Sequence, residues 1–334
     1  MLRDVTVLVN PNAGRGLSRR VAGAAIAELR RLRLAVDVVV TRSAEHCRDS
    51  AAAAVAAGCS AVAVCGGDGA VAAVLPVLAG SQVPLGVLPG GSGNDFARAL
   101  GLPARDAVAA ARVVALGVPG PVDLGRLSSA GVPERWFGTV VAAGFDARVN
   151  ERMNSMTWPR GRTRYHVALV RELASFRPIP YLLSVDGTQL ECEAMLVAVG
   201  NMSSYGGGMR ICPAARADDG LLDVTVVTSI SRAKLVRLFP SVYPGRHVRR
   251  PEVLTLRGRS VSVSVRTIDA SRSAGAHSAG ARSAVPRSAG AHSAVPRSAG
   301  VIAYADGERV GPLPVSVTVE PAALSVLGAR GRET

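Results

Sequence analysis

The chain predicts an α/β protein: an N-terminal α/β domain with a parallel sheet, then a C-terminal β-rich sandwich domain. Three observations carry this reading. Up to about residue 120, short apolar runs alternate with stretches of helical periodicity. Breaker-rich glycine turns follow the apolar runs, as expected at the carboxyl edge of a parallel sheet. Beyond that point Val-rich runs crowd together and helical stretches become few. A length of 334 residues favours two domains over one. They are drawn at 1–120 and 121–320, with a tail, 321–334, free to return to the first domain.

Taken in order, Val5 to Asn10 reads as the first strand, and Asn10-Pro11-Asn12-Ala13-Gly14-Arg15-Gly16 as a turn. Ser18 is placed to cap the next helix, whose buried face is Val21, Ala25, Leu29 and Leu32. Val36–Val40 is the second strand, ending at Thr41. Ala44–Ala57 is the second helix, with Gly58 as its stop. Ala61–Cys65 is a buried strand broken by Gly66-Gly67-Asp68-Gly69, with a helical run over Val71–Leu78. Pro84–Leu88 ends in another glycine turn, Pro89-Gly90-Gly91-Ser92-Gly93-Asn94-Asp95-Phe96. In the second half, Phe137–Ala142, Tyr181–Val185, Ala194–Val199, Leu221–Val227 and Ser260–Val265 read as strands. Arg164–Ser175 and Ser231–Tyr243 read as helices. A five-residue repeat over Ser273–Ser298, within a low-complexity stretch at 271–299, lacks large apolar anchors and is read as a disordered insertion. Its flanks, Val261–Arg266 and Val301–Tyr304, look like strands, so a hairpin tip is expected for it.

Composition narrows the function. The formal charge is +14, from 39 basic and 25 acidic residues, a balance that attracts nucleotides, nucleic acid or an anionic membrane surface. Aromatic residues at 4% weaken single-strand nucleic-acid binding, which relies on stacking. Lys234 is the single lysine and lies in neither a P-loop nor a protein-kinase context, so both kinase classes are excluded. Five scattered cysteines with no CxxC pair suit reduced thiols and a cytoplasmic setting. No run reaches the length of a membrane span, and the first residues carry no signal-peptide pattern.

The glycine turns are the candidate site. Free N–H groups there suit phosphate oxygens. Asp68, itself anionic, suits Mg²⁺ or a hydroxyl. Asp306-Gly307-Glu308 and Asp218-Asp219-Gly220 read equally as ordinary turns. Arg15, Arg19 and Arg20 suit either phosphate or a solvated helix start.

Taken together, Asn10-Pro11-x-x-Gly14, Gly66-Gly67-Asp68-Gly69 and Gly91-Ser92-Gly93-Asn94-Asp95-Phe96 resemble the diacylglycerol kinase catalytic-domain family, above all bacterial lipid kinases related to sphingosine kinases. Gly144-Phe145-Asp146-Ala147, Gly200-Asn201, Tyr205-Gly206-Gly207-Gly208, Cys212-Pro213, Asp218–Asp223 and Asp306-Gly307-Glu308 continue the pattern. The resemblance implies a nucleotide-binding first domain, a β-sandwich second domain and a cleft between them. It implies transfer of the γ-phosphoryl of ATP, with Mg²⁺, to a lipid hydroxyl, diacylglycerol first. Carried over, Asn10, Pro11, Asn12, Ala13, Gly14, Thr41, Gly66, Gly67, Asp68, Gly69, Ala70, Val71, Ala72, Ala73 and Ser92 line the nucleotide. Glu308 is the general base, and Asp68 and Asp95 organise Mg²⁺. A second, structural Mg²⁺ falls on Asp219 with the carbonyls of Arg216 and Leu221. The expected partners are a lipid substrate and a transient anionic surface at the inner membrane. Nucleic acid is not expected, and a homodimer stays open. The sequence departs from the family at Ala70, Ala72 and Ala73, where Thr, Asn or His, and Glu are usual. NAD kinase, and a non-catalytic nucleotide- or lipid-binding relative, remain the alternatives.

Overall fold

Val5, Val7 and Val9 alternate with Leu8 in β1 (Asp4–Val9), and both sets are buried. Successive strand side chains point to opposite faces, so β1 must be covered on both. It is: Val5, Val7 and Val9 join Ala25 and Leu29 of α1 (Leu17–Arg31) and Val114 of α5 (Ala107–Leu116). Leu8 turns the other way, onto Ala51 of α2 (Ala44–Ala56) and Val74 of α3 (Asp68–Leu78). The same alternation splits Ala61, Ala63 and Cys65 from Val62 and Val64 around β3 (Val62–Gly66). With β2 (Ala35–Val40) and β4 (Leu85–Pro89), these strands form a parallel sheet in the order β4-β3-β1-β2. The computed structural model describes residues 2–129, 131–156, 171–172, 177–266 and 300–329.

Helix starts follow local chemistry with one exception. Ser43 accepts from His46 N at 3.0 Å and caps α2, and Asp106 caps α5 by accepting from Val108 N and Ala109 N. Ser18 does not cap α1. The cap is Gly16, while Ser18 is fully buried and its hydroxyl donates to Cys65 O at 3.1 Å, tying the helix to β3.

Between α1 and α5 lies buried Glu28, which accepts from Arg31 at 2.7 and 2.8 Å and from Arg112 at 2.7 Å. These hydrogen bonds, Arg31 first, hold its carboxyl down to about 2. A depressed acid stabilises the fold above its unfolded value and loses that contribution as pH falls through the folded one. Glu28→Gln is therefore expected to lower the thermal midpoint at neutral pH. The gap to wild type should close as pH drops from about 4.5 towards 2, which melting curves across that window check.

The β-rich region is joined to the first by two long antiparallel strands, β5 (Pro119–Ser129) and β15 (Val315–Leu327). The first half of β15 pairs with β12 (Ser260–Val265), and Val326 pairs in parallel with Leu85 of β4. The pairing is interrupted between Glu320 and Leu324, where buried Asp123 accepts from Ala322 N at 2.8 Å and Gly220 N at 2.7 Å. That carboxylate fixes the bend where the chain passes from one region to the other. Further strands are β6 (Val132–Phe137), β7 (Val140–Gly144), β8 (Ile179–Val185), β9 (Thr188–Gly200), β10 (Leu222–Thr228), β11 (Val253–Gly258), β13 (Ile302–Ala305) and β14 (Glu308–Pro312). Their inward faces meet in a core that includes Leu127, Tyr181, Leu183, Val197, Val224, Val261 and Val317. Helices described here include α6 (Phe145–Ser155) and α7 (Arg232–Leu238), the latter followed by a 3-10 turn over Phe239–Val242.

Three expectations change. Phe137–Ala142 is not one strand: β6 ends at Phe137 and β7 begins at Val140, because the Gly138 and Thr139 N–H groups are taken by the Asp306 carboxylate. The strand forecast over Leu221–Val227 gives way at its first residue, since β10 begins at Leu222 and Leu221 N donates to Asp219. The flanks of the repeat are not hairpin partners. β12 pairs with β8 and β15, while β13 pairs with β7 and β14, so β7, β9 and β8 lie between them. β12 and β13 are therefore not neighbours in the sheet. The repeat itself, and the helix expected over Arg164–Ser175 apart from 171–172, lie outside the described residues.

Candidate active site

The glycine turns after β1, β3 and β4 pack directly on one another. Gly14, with φ +57, sits where a β-carbon would lie 2.3 Å from Gly90 O. A β-carbon on Gly91 would lie 2.4 Å from Gly67 Cα. Backbones this close exclude any side chain, so Gly91 is required by contact, and Gly14 by contact and by conformation. Asn94 closes the β4 turn: its Oδ1 accepts from Gly91 N at 2.9 Å and its Nδ2 donates to Gly91 O at 3.1 Å.

Two acids stand at helix starts beside these turns. Asp68 is the first residue of α3, and Asp95 opens α4 (Asp95–Ala99). Asp68 Oδ1 accepts from Phe96 N at 2.9 Å, which ties the β3 turn to the β4 turn. Asp95 accepts from Gly207 N and Gly208 N, both at 2.6 Å, and so reaches into the β-rich region. Asp68 Oδ2 and Asp95 Oδ2 each lie 3.1 Å from where a β-carbon on Gly93 would stand. Burial pushes both carboxyls above their ordinary range, and the charge of Asp68 adds to the rise at Asp95.

Glu308 arrives from the opposite side. The Asp306–Gly307 turn between β13 and β14 has both residues at positive φ, +51 and +81. Its Asp306 carboxylate is half-buried and accepts from Gly138 N at 2.8 Å, Thr139 N at 2.7 Å and the Thr139 hydroxyl. Burial raises the Asp306 carboxyl, its hydrogen bonds to Thr139 and Gly138 oppose the rise, and the charge of Asp68 adds to it. Held this way, the turn projects Glu308 so that its Oε1 lies 3.7 Å from where a β-carbon on Gly69 would stand. The segment is thus a hairpin turn and a means of aiming a carboxylate.

The result is a cleft of about 360 Å³. Asn10, Ala13, Gly14, Thr41, Gly67, Asp68, Gly69, Ala70, Ser92 and Glu308 line it, as do Ser43, Ala44, Cys47, Gly91 and Gly93, which the sequence reading did not assign. Ser43 carries a readable signal, since it is the cap that places the start of α2. Cys47 is no thiolate: burial pushes its thiol up to about 11. Pro11, Asn12, Gly66, Val71, Ala72, Ala73 and Asp95 are not in the lining. Val71 is buried in the core under α3, and Ala73 packs partly against the same core. Arg19 and Arg20 are exposed on α1, and the Arg15 side chain lies outside the described set.

Arg216, Asp219 and Leu221 do not join the cleft. Asp219 Oδ1 accepts from Leu221 N at 3.1 Å, and its Oδ2 pairs with Arg257, which also reaches Asp223 Oδ2 at 3.1 Å. A guanidinium thus engages one oxygen of this acid. Among the described residues no group of three or more His, Cys, Asp or Glu is gathered as a metal site. Asp68 and Asp95 are a pair, which suits an ion completed by phosphate oxygens and water.

Comparison with known proteins agrees with this geometry. The diacylglycerol kinase catalytic domain matches residues 4–127, and the YegS C-terminal NAD kinase beta sandwich-like domain matches 139–280. A diacylglycerol kinase of Mycobacterium tuberculosis (strain H37Rv) is 42% identical over 327 residues, 98% of this chain and 95% of that protein. One from Bacillus subtilis (strain 168) is 25% identical over 79% of this chain and 86% of its own length. A crystal structure of a diacylglycerol kinase from Bacillus anthracis str. Sterne shares the fold, with a TM-score of 0.70 at 20% identity over 98% of this chain and 97% of that one. Fold and site together define a lipid kinase. The chain belongs to the diacylglycerol kinase catalytic-domain family, with the YegS-type second domain.

Proposed function

We propose that the cleft binds ATP and that the enzyme transfers its γ-phosphoryl to the free hydroxyl of diacylglycerol, yielding phosphatidic acid and ADP. The observation that carries the reading is Glu308, brought from the β-rich region to Gly69 beside the half-buried Asp68. The turns at Gly14 and Gly67 would present backbone N–H groups to the phosphates. A lipid hydroxyl is a poor nucleophile. Glu308 takes its proton as oxygen attacks phosphorus, and the bond to the β-phosphate oxygen breaks towards ADP. Asp68 and Asp95 would hold Mg²⁺, which when bound neutralises phosphate charge. Phospholipid metabolism at the cytoplasmic face of the membrane is the setting this chemistry requires. Among the described residues no helix is long and apolar enough to cross a membrane.

Ala70 faces the cleft where a threonine would offer a hydroxyl, and this favours the second reading, a nucleotide binder without turnover. Labelled ATP with a panel of acceptors separates the two. Label is expected in diacylglycerol and not in NAD. Tight ATP binding with no labelled lipid would overturn the proposal.

A further inference from the structure

The helix–turn unit around α7 carries an unusual surface. From Ser229 to Leu256, six basic side chains accompany one acid, Glu252, and Glu252 is paired with Lys234 at 3.0 Å. Arg232, Arg237, Arg246, Arg249 and Arg250 are all exposed. Leu235, Leu238 and Val242 turn inward at helical spacing and anchor the unit on the core. The neighbouring stripe turns outward: Val236 is 52% exposed and Tyr243 45%. Large apolar groups in water among an excess of exposed cations suit a surface that is apolar just beneath an anionic layer. Nucleic acid offers the charge without the apolar layer.

The unit is tied to the site through one loop. Arg210 N donates to Val242 O at 3.2 Å, and His247 Nε2 bonds Ile211 O at 3.0 Å. Those residues continue the loop whose Gly207 and Gly208 hold Asp95. A membrane gripped here is one loop from the cleft.

We propose that this face of α7 and its 3-10 turn docks the enzyme on an anionic bilayer, with the arginines on lipid phosphates and Val236 and Tyr243 in the interface. The proposal deepens the lipid-kinase reading and rests on it. The test is co-sedimentation of the full chain, without ATP, with phosphatidylcholine vesicles containing about one third phosphatidylglycerol. An arginine near such a surface contributes roughly fivefold in affinity, so a variant carrying Arg237→Gln, Arg249→Gln and Arg250→Gln should bind about 10²-fold more weakly. Val236→Ser with Tyr243→Ser should bind several-fold more weakly while staying folded, with a slightly lower thermal midpoint from the lost Tyr243–Phe239 ring contact. Both should still phosphorylate a soluble short-chain diacylglycerol and lose activity on vesicle-borne substrate. Charge-dependent binding without phosphorylation of any lipid would sink the kinase reading and leave the docking face standing. Wild-type indifference to phosphatidylglycerol, unweakened binding by either folded variant, or binding to a DNA duplex in place of vesicles would overturn it.

Discussion

Glu308→Gln is expected to lower kcat for lipid phosphorylation by about 10²–10⁴ while ATP affinity changes little. Glutamine keeps the shape of the side chain and cannot accept the proton. A group that acts only during transfer affects turnover more than ground-state binding. The structure supports that split. Glu308 reaches the cleft from the β-rich region, whereas the glycine turns belong to the first. Asp306 stays in place in this variant, so its bonds to Gly138 and Thr139 still hold the turn. Lipid phosphorylation measured beside ATP titration decides it. Near-normal turnover would remove Glu308 from the mechanism and leave 306–308 as a hairpin turn alone.

Asp68→Asn is expected to separate activity from stability. Asparagine can still accept from Phe96 N, so the link between the two glycine turns survives. The charge does not. A carboxylate that positions a metal at the phosphates contributes several kcal/mol to transfer, and kcat/KM for Mg-ATP should fall by about 10²–10³. The Mg²⁺ concentration needed for half-maximal rate should rise with it. Stability should move the other way. Burial raises the Asp68 carboxyl, and its charge raises both Asp95 and Asp306. An acid raised on folding opposes the folded state at neutral pH, and relieving it should hold or increase the thermal midpoint. A variant that loses stability and activity together would show that Asp68 is chiefly a structural tie.

Much of this was legible in local pattern. The alternation in β1 and β3, the Ser43 cap and the turn glycines all follow from short-range rules, and the structure contains them. Other features depend on partners far along the chain. Ser18 looks like a cap and is a buried tie to Cys65. Phe137–Ala142 looks continuous and is cut by Asp306. Val71 and Ala70 are neighbours in the motif and both are buried in the core beneath α3, yet Ala70 alone also lines the cleft.

The sequence by itself determined the parallel sheet, the glycine turns at its carboxyl edge and the family, because periodicity, turn chemistry and motif order are all local properties. Only the tertiary structure decided which of those residues meet. Gly91 against Gly67, Glu308 over Gly69 and Arg257 on Asp219 depend on the pairing of β3 with β4, of β13 with β7 and of β10 with β11. Strand pairing between distant segments is settled by burying both faces of every strand at once, and no stretch of the chain carries that information alone.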